Sequence, residues 1–518
     1  MGAAREGSAT AASPAHTAPT SSSTGLGSGE VTPAEATRPP GVPHPRYAQT
    51  TMTETPAAIP SYDLVVLGSG PAGLAAAWRA ARRGLSVAVL ERAGQPGGTA
   101  ASFEVHGVRV DHGSHRLDPA TAPRLLTDLH DLLGKDLQER TRHGRVRIAD
   151  RWVGFPLRAA ELARSLPPPM LAAIGRDALV APLRRPRDDS YAGVLRASLG
   201  PTVYEALYAP YARKVWGIPG ERISGEQARR QVSTDTAAWR LAGRAMRGSD
   251  GPPKRYWYPR RGFGQIVDVL ADSSVAAGAD LRLEAEVARV RVFEDEVVVT
   301  TQDGDVLSGE LAFSTLPLPV MARLTRPAPS LAELEAASRL RFRAVLLVYV
   351  VHGGGRWTRF DTHYLPGPET PVTRVSEATN YRDSVDDPED RSVLCAEIPL
   401  SMTDDLWGAS DETLGDVVDE ALARSALPPV RRTHVETRRV GHVYPIHRAG
   451  YEQDLAGVDA WSTMLRRVVT LGRHGLFTVD NTHQAMDLAY DAVAAIRDDG
   501  TFDRYTWTAA RQRSTHGS

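Results

Sequence analysis

The chain has 518 residues, 42% hydrophobic and 24% charged, with 61 Lys plus Arg against 62 Asp plus Glu and a formal net charge of -1. That length exceeds what one hydrophobic core usually serves, so two domains are expected, and near-neutrality removes any global field that would draw nucleic acid or an anionic membrane. The lone cysteine, Cys395, excludes an intrachain disulfide and fits a reducing cytoplasm, and no apolar run reaches the roughly 20 residues of a spanning helix.

Residues 1–58 are rich in Ala, Ser, Thr, Pro and Gly without apolar periodicity, so a disordered extension is expected there. They lack the apolar centre of a signal peptide. Met52 lies just before the first ordered strand and is a candidate start, which N-terminal sequencing of native protein decides. Tyr62-Asp-Leu-Val-Val-Leu67 is a β-branched apolar run that fits a buried parallel strand. Gly68-Ser-Gly-Pro-Ala-Gly73 follows, then an Ala-rich helix from Leu74 to Arg83 closed by Gly84. Ser86-Val-Ala-Val-Leu90 is the second strand, and it ends in Glu91. The glycines have distinct physical roles. Gly68 permits the turn, Gly70 admits a pyrophosphate, and Gly73 lets the helix pack on the sheet. Amides at the helix N-terminus then meet the phosphates, and Glu91 accepts from a ribose. Such a unit suits NAD as well as FAD.

The residues after Glu91 make the choice. Gly97-Gly98 lies in a second glycine loop directly behind it, and Asp111-His-Gly-Ser-His115 forms a further turn. This order resembles the FAD superfamily of amine oxidases, protoporphyrinogen oxidases, phytoene desaturases and UDP-galactopyranose mutases. The resemblance implies FAD as cofactor, a loop at Gly97, Gly98 and Thr99 along it, and His115 near the isoalloxazine. It also implies cofactor contacts at Arg92, Val287, Gly472, Arg473 and Met486.

Further along, Tyr204 to Gly217 contains Tyr211-Ala-Arg-Lys214-Val-Trp-Gly217, which is similar to a segment of the UDP-galactopyranose mutases. Lys occurs only at 135, 214 and 254, so Lys214 inside that segment stands out from an Arg-rich background; the plain alternative is a solvated helix face. Trp257-Tyr-Pro-Arg-Arg-Gly-Phe-Gly264 and Thr373-Arg-Val-Ser376 resemble mutase elements as well, the second implying that Arg374 contacts a substrate diphosphate. Gly472-Arg-His-Gly and Asp480-Asn-Thr-His-Gln-Ala-Met-Asp487 resemble the C-terminal flavin-binding run, with Arg473 a second candidate for anion contact.

The expected fold is α/β. A Rossmann-like FAD-binding domain of the glutathione-reductase type, a parallel sheet plus β-meander, carries an inserted α+β substrate domain. The FAD-binding pieces are 59–150, 256–335 and 455–500, the substrate domain is 151–255 and 336–454, and 501–518 is a tail. Leu281 to Val292 alternates apolar and polar residues, and with Val297 to Thr300 it is expected to form the meander across the acidic turn Glu294-Asp-Glu296. Residues 150–255 are expected to be helical and 340–450 to supply strands such as Phe342 to Val351 and Ser392 to Ile398, with Cys395 as core filler. His442 and His447 fit a place beside the flavin and a core or surface place equally well. Metal-ligand spacing and a Gly-x-Ser-x-Gly elbow are both missing from the sequence.

These readings imply an FAD-dependent oxidoreductase with a small-molecule substrate and no nucleic-acid partner, acting in glycan or secondary-metabolite biosynthesis, with His115 and Arg374 as the candidate catalytic residues. A mutase in which reduced flavin N5 attacks the anomeric carbon of a nucleotide sugar is the alternative. A non-catalytic flavin-fold escort protein is a third reading, and the complete glycine fingerprint argues against it.

Overall fold

The computed structural model describes residues 59–231 and 254–516; the expected extension at 1–58 lies outside them. The first strand, Ser61–Leu67, is fully buried from Leu64 onward. It pairs in parallel with Val87–Leu90 on one side and Val306–Ser314 on the other. Neighbours on both edges and layers on both faces explain why its sequence is continuously apolar rather than alternating. Asp280–Arg282 extends the sheet in parallel beyond Val87–Leu90, and Val468–Thr470 lies in parallel beside the end of Val306–Ser314. The antiparallel meander Val287–Val292, Val297–Thr301 and Val306–Ser314 completes it, with Thr325–Arg326 at the edge.

The helix Pro71–Arg82 packs between helices Gln265–Ala276 and Thr482–Ala494. Ala72, Ala75, Ala76, Ala77 and Ala80 keep its buried face thin, so the three helices approach closely over the sheet. Met486, Ala489, Tyr490 and Val493 are all buried along Thr482–Ala494, as their helical spacing predicts.

A second sheet has seven strands, in the order Arg432–Pro445, Phe342–Gly353, Arg391–Leu400, Arg374–Glu377, Thr362–Tyr364, Gly144–Ile148 and Arg151–Phe155. Phe342–Gly353 is buried on both faces. Leu346, Val348 and Val350 meet Leu414, Val418 and Leu422 of the helix Asp411–Arg424, while Val345, Leu347 and Tyr349 meet Val105, Val108 and Val110 of a short hairpin. Cys395 belongs to that second face and is buried, as core filler should be.

Three local expectations change. Leu281 to Val292 is two strands rather than one, because Glu284 turns the chain with a positive φ of 57°. The break lets the amides of Glu284 and Ala285 bind the carbonyls of Ala93 and Glu91, so sequence alternation spans a crossing point. The stretch 501–518, read as a tail, carries the helix Arg504–His516, and Trp507 and Ala510 enter the first core. In 150–255 helices do dominate up to Gln231, but Arg151–Phe155 is a strand of the second sheet, and 232–253 lies outside the described residues.

Candidate functional site

The turn after the first strand is built for an approaching anion. Gly68 has a φ of 98°, open to glycine at little cost. A Cβ on Gly73 would overlap the carbonyl of Gly68, so helix and turn interlock only without a side chain. Gly70 differs: its φ of -67° suits any residue, and nothing lies within 4 Å of where its Cβ would point. That open space faces a helix start with no side-chain cap and no acidic residue in its first turn, which leaves amide donors and a positive dipole end for a phosphate.

Three other segments converge on this turn. The amide of Gly97 donates to the carbonyl of Ser69 at 2.9 Å, and a Cβ on Gly98 would sit 3.5 Å from Gly70 Cα. The Thr315 hydroxyl donates to the Leu67 carbonyl at 2.9 Å. From the C-terminal part, Gly472 abuts Ala72. Glu91 is 8% exposed; its Oε2 accepts from the amide and hydroxyl of Ser69, both at 2.9 Å, and its Oε1 from the Ala93 amide at 3.0 Å. A carboxylate offers about four acceptor sites, so one remains for a ribose hydroxyl. Arg92 and Gly98 are exposed beside the loop and Thr99 is half-buried. Val287 opens the meander strand that follows the crossing at Glu91. An FAD pyrophosphate and ribose fit these residues.

Asp111 ties the turn at 111–115 to a distant loop. Its Oδ1 accepts from the Ser102 hydroxyl at 2.6 Å and the Phe263 amide at 2.9 Å, and its Oδ2 from the Tyr258 hydroxyl at 2.5 Å. Ser102 Oγ in turn accepts the Gly264 amide at 2.7 Å. All of these groups are buried, so truncation strands several donors in a low-dielectric interior. Asp111→Ala is expected to lose at least about 3 kcal/mol of stability, read by urea melting; a loss below about 1 kcal/mol would show that water repairs the site.

Four residues on, His115 stacks on Phe263 with ring centroids 5.2 Å apart and places Nε2 3.0 Å from the His112 carbonyl. Facing a carbonyl, Nε2 carries the proton and Nδ1 keeps its lone pair. Burial pushes the His115 pKa down against the pull of Asp111, so the ring is neutral near pH 7. Next to it, the Ser114 amide donates to Glu397 Oε1 at 2.9 Å, and the same oxygen takes an ion pair from Arg374 Nε at 2.7 Å. The two candidate catalytic residues are thus brought together through Glu397. Burial opposes the Arg374 charge, but Glu397, aided by Tyr444 and Tyr211, more than offsets it.

Around Arg374 lies a set of arginines and tyrosines drawn from six stretches of the chain, at 116, 142, 211, 364–381, 444 and 473. Arg116 donates to Asp361 at 3.0 Å, Thr362 at 2.7 Å and Tyr381 at 3.1 Å. Arg142 donates to the Tyr364 hydroxyl at 3.2 Å. Burial would raise the Tyr364 phenol, yet Arg142, Arg116 and Arg374 outweigh it and bring it down to about 8. Tyr211 and Tyr444 share the region and are raised by burial, with Arg374 opposing. Arg473 lies within reach of Tyr444 and donates through Nε to the Asp480 carbonyl at 2.7 Å.

Some expected residues stand elsewhere. Met486 is fully buried in the first core, where its side chain packs. His447 stacks on Tyr451 at 4.2 Å and bonds to the Phe477 carbonyl, a core position; His442 packs on Phe342. Lys214 is not on a solvated face. Its ammonium donates to the carbonyls of Leu365, Gly367 and Val372 at 2.6, 2.7 and 2.7 Å, and burial pushes it down to about 7 with Glu369 opposing. Glu397 escaped notice in the sequence although it carried a signal: a lone carboxylate inside the apolar strand Arg391–Leu400. Arg116, Arg142 and Tyr364 carried none. Among the described residues, no helix is long and apolar enough to cross a membrane.

A family model described as flavin containing amine oxidoreductase matches residues 71–479. Among solved structures, a reduced UDP-galactopyranose mutase aligns with a TM-score of 0.72 at 19% identity, over 88% of this chain and 99% of that one. A putrescine oxidase bound to putrescine aligns at 0.57 and 18% identity, over 84% and 99%. In sequence, a phytoene dehydrogenase of Streptomyces griseus is 28% identical over 294 residues, 51% of this chain and 56% of that protein. The chain spans about half the length of the curated relatives it matches.

Proposed function

The chain belongs to the flavin containing amine oxidoreductase family, and on that premise we propose an FAD-dependent oxidoreductase whose substrate is a small, hydroxylated anion of the nucleotide-sugar class. The observation that carries the substrate class is the gathering of arginines at Tyr364: Arg142 donates to its hydroxyl at 3.2 Å, Arg374 lies opposite it in the strand pair, and with Arg116 they lower the phenol. Guanidiniums that draw a proton from a buried phenol also attract a diphosphate or carboxylate and repel a diamine. A purely apolar polyene offers these guanidiniums no acceptor and would only add to the cost of burying them.

In this reading Gly68, Gly70, Gly73, Gly97, Gly98, Thr99 and Gly472 line the cofactor's phosphates, with Arg92 and Arg473 beside them. Glu91 and Val287 serve its ribose and adenine side. When bound, FAD supplies the redox chemistry. The protein's own part is to orient the substrate by Arg374 and the tyrosines and to exclude water. His115 offers a neutral imidazole whose Nδ1 can take a proton. The FAD-binding pieces and the inserted substrate domain remain the proposed division. Strands Gly144–Ile148 and Arg151–Phe155 belong to the second sheet, which moves the first boundary to about 143. A cytoplasmic setting and a role in glycan or secondary-metabolite synthesis are parts of the same proposal.

The test is direct. Purified protein should show a flavin spectrum, bind UDP by calorimetry, and show no flavin bleaching with putrescine under anaerobic conditions; bleaching by putrescine with no UDP binding would reject the anionic class. A second reading, a nucleotide-sugar mutase, is favoured by the extent of the match to the mutase structure. Furanose product from dithionite-reduced protein and UDP-galactopyranose would establish it, and none would reject it.

The phenol also sets a pH dependence. Below about 8 Tyr364 is neutral and takes nothing from the arginine field; above it, a phenolate repels the anion. Affinity for UDP should therefore fall as pH rises through 8, by several-fold, and Tyr364→Phe should remove the part of that fall centred near 8 while leaving any part set by Lys214, which burial brings down to about 7. An unchanged profile in that variant would assign the effect to another group.

A further inference from the structure

Lys214 sits on the helix Ala209–Trp216, three residues after Tyr211, and reaches the turn 365–372. That turn joins the strands Thr362–Tyr364 and Arg374–Glu377. Tyr364 directly precedes one clamped carbonyl, Leu365, and Arg374 follows another, Val372, by two residues. We infer that Lys214 is a positioning residue: its ammonium gathers the three carbonyls of this turn and so fixes Tyr364 and Arg374 in the ligand site. The inference rests on the anionic-substrate reading of that site for its functional consequence, though not for the clamp itself.

The chemistry explains the residue. An ammonium has three donors on one atom, and here each finds a carbonyl at 2.6 to 2.7 Å. A guanidinium spreads its donors over a flat fork and cannot converge on three acceptors around a point. In a chain where Lys takes only three of 61 basic positions, this is a place where Arg fails geometrically. Beyond the ladder that sets Tyr364 opposite Arg374, the Leu365 amide donates to the Thr373 carbonyl at 2.8 Å, and the rest of the turn is held by the ammonium. Without the ammonium, three inward-facing carbonyls would repel one another and the turn would open.

The test compares Lys214→Met, Lys214→Arg and Lys214→Cys, the last before and after alkylation with bromoethylamine, which rebuilds a lysine-like ammonium. Cys395 is buried, so alkylation is confined to position 214. Hydrogen exchange in peptides covering 365–373 should quicken at least about tenfold in the Met, Arg and unmodified Cys variants. UDP affinity should fall at least about tenfold, with FAD content unchanged. Alkylation should restore both. Parent-like UDP affinity in Lys214→Arg or Lys214→Met would overturn the inference. Should the parent itself not bind UDP, the substrate reading fails alone, and the Tyr364 titration decides the clamp. Measured by ultraviolet difference against Tyr364→Phe, it should move up toward about 10 in Lys214→Met as the phenol leaves its arginines; an unmoved titration would overturn the inference. Should the Met variant fail to load FAD, the alkylated and unmodified Cys proteins give the same comparison in one polypeptide.

Discussion

Gly70→Val is expected to give a colourless protein that melts close to the apo form of the parent. The backbone there, with φ of -67° and ψ of 175°, accepts a branched side chain, and no protein atom lies within 4 Å of its Cβ direction. The fold therefore has no reason to object. The space is valuable only to a ligand: it lies where the helix Pro71–Arg82 presents uncapped amides. FAD affinity should fall at least about 100-fold, or roughly 2.7 kcal/mol, because the pyrophosphate cannot reach those amides. Gly73→Ala makes the opposite comparison. Its methyl overlaps the Gly68 carbonyl, a backbone atom that cannot turn aside, so the helix cannot dock and the protein itself should be lost. Flavin absorbance after desalting and thermal melts of the apo forms separate the two. A flavin-loaded Gly70→Val protein of parent affinity would refute the placement of the phosphates.

The second large effect concerns the buried ion pair beside the turn at 111–115. Arg374→Met leaves Glu397, with its side chain 3% exposed, as an uncompensated carboxylate. Removing one partner of such a pair costs about 3–5 kcal/mol. The double variant Arg374→Met with Glu397→Gln should recover most of that loss, since the glutamine carbonyl still accepts the Ser114 amide and no charge remains buried. Ligand affinity should not recover, because the guanidinium proposed to meet the anion is gone. Urea melts and UDP calorimetry on the single and double variants test both halves. Equal stability of the two variants would mean that the pair is solvated rather than buried.

Asp111, His115, Glu397 and Arg374 show how legibility divides. The turn Asp111–His115 is compact in sequence, so its pattern stands out without a fold. Its supports come from Ser102, Tyr258 and Phe263, the last two about 150 residues away, and from Glu397 at nearly twice that separation. Nothing in the spacing of those residues announces that they meet. Glu397 could have been found from its apolar neighbours, since a charge inside a buried strand needs a partner. Arg116 and Arg142 could not, because Arg supplies 58 of the 61 basic residues and no single one is distinctive.

By itself the sequence determined the parallel strand–turn–helix unit at 62–91, the glycine loop at 97–98, FAD as the cofactor, and the two-sheet α/β plan. Those features rest on local rules: a glycine where a side chain would collide, and apolar residues wherever both faces are covered. Tertiary structure alone decided the split of Leu281 to Val292 at Glu284, the joining of His115 to Arg374 through Glu397, and the arginine field on Tyr364. It also turned Lys214 from a family marker into a clamp on three carbonyls. The reason is physical. Carbonyls belong to every residue and leave no trace in residue type, and the potential at a phenol is a sum over charges whose distances only folding sets.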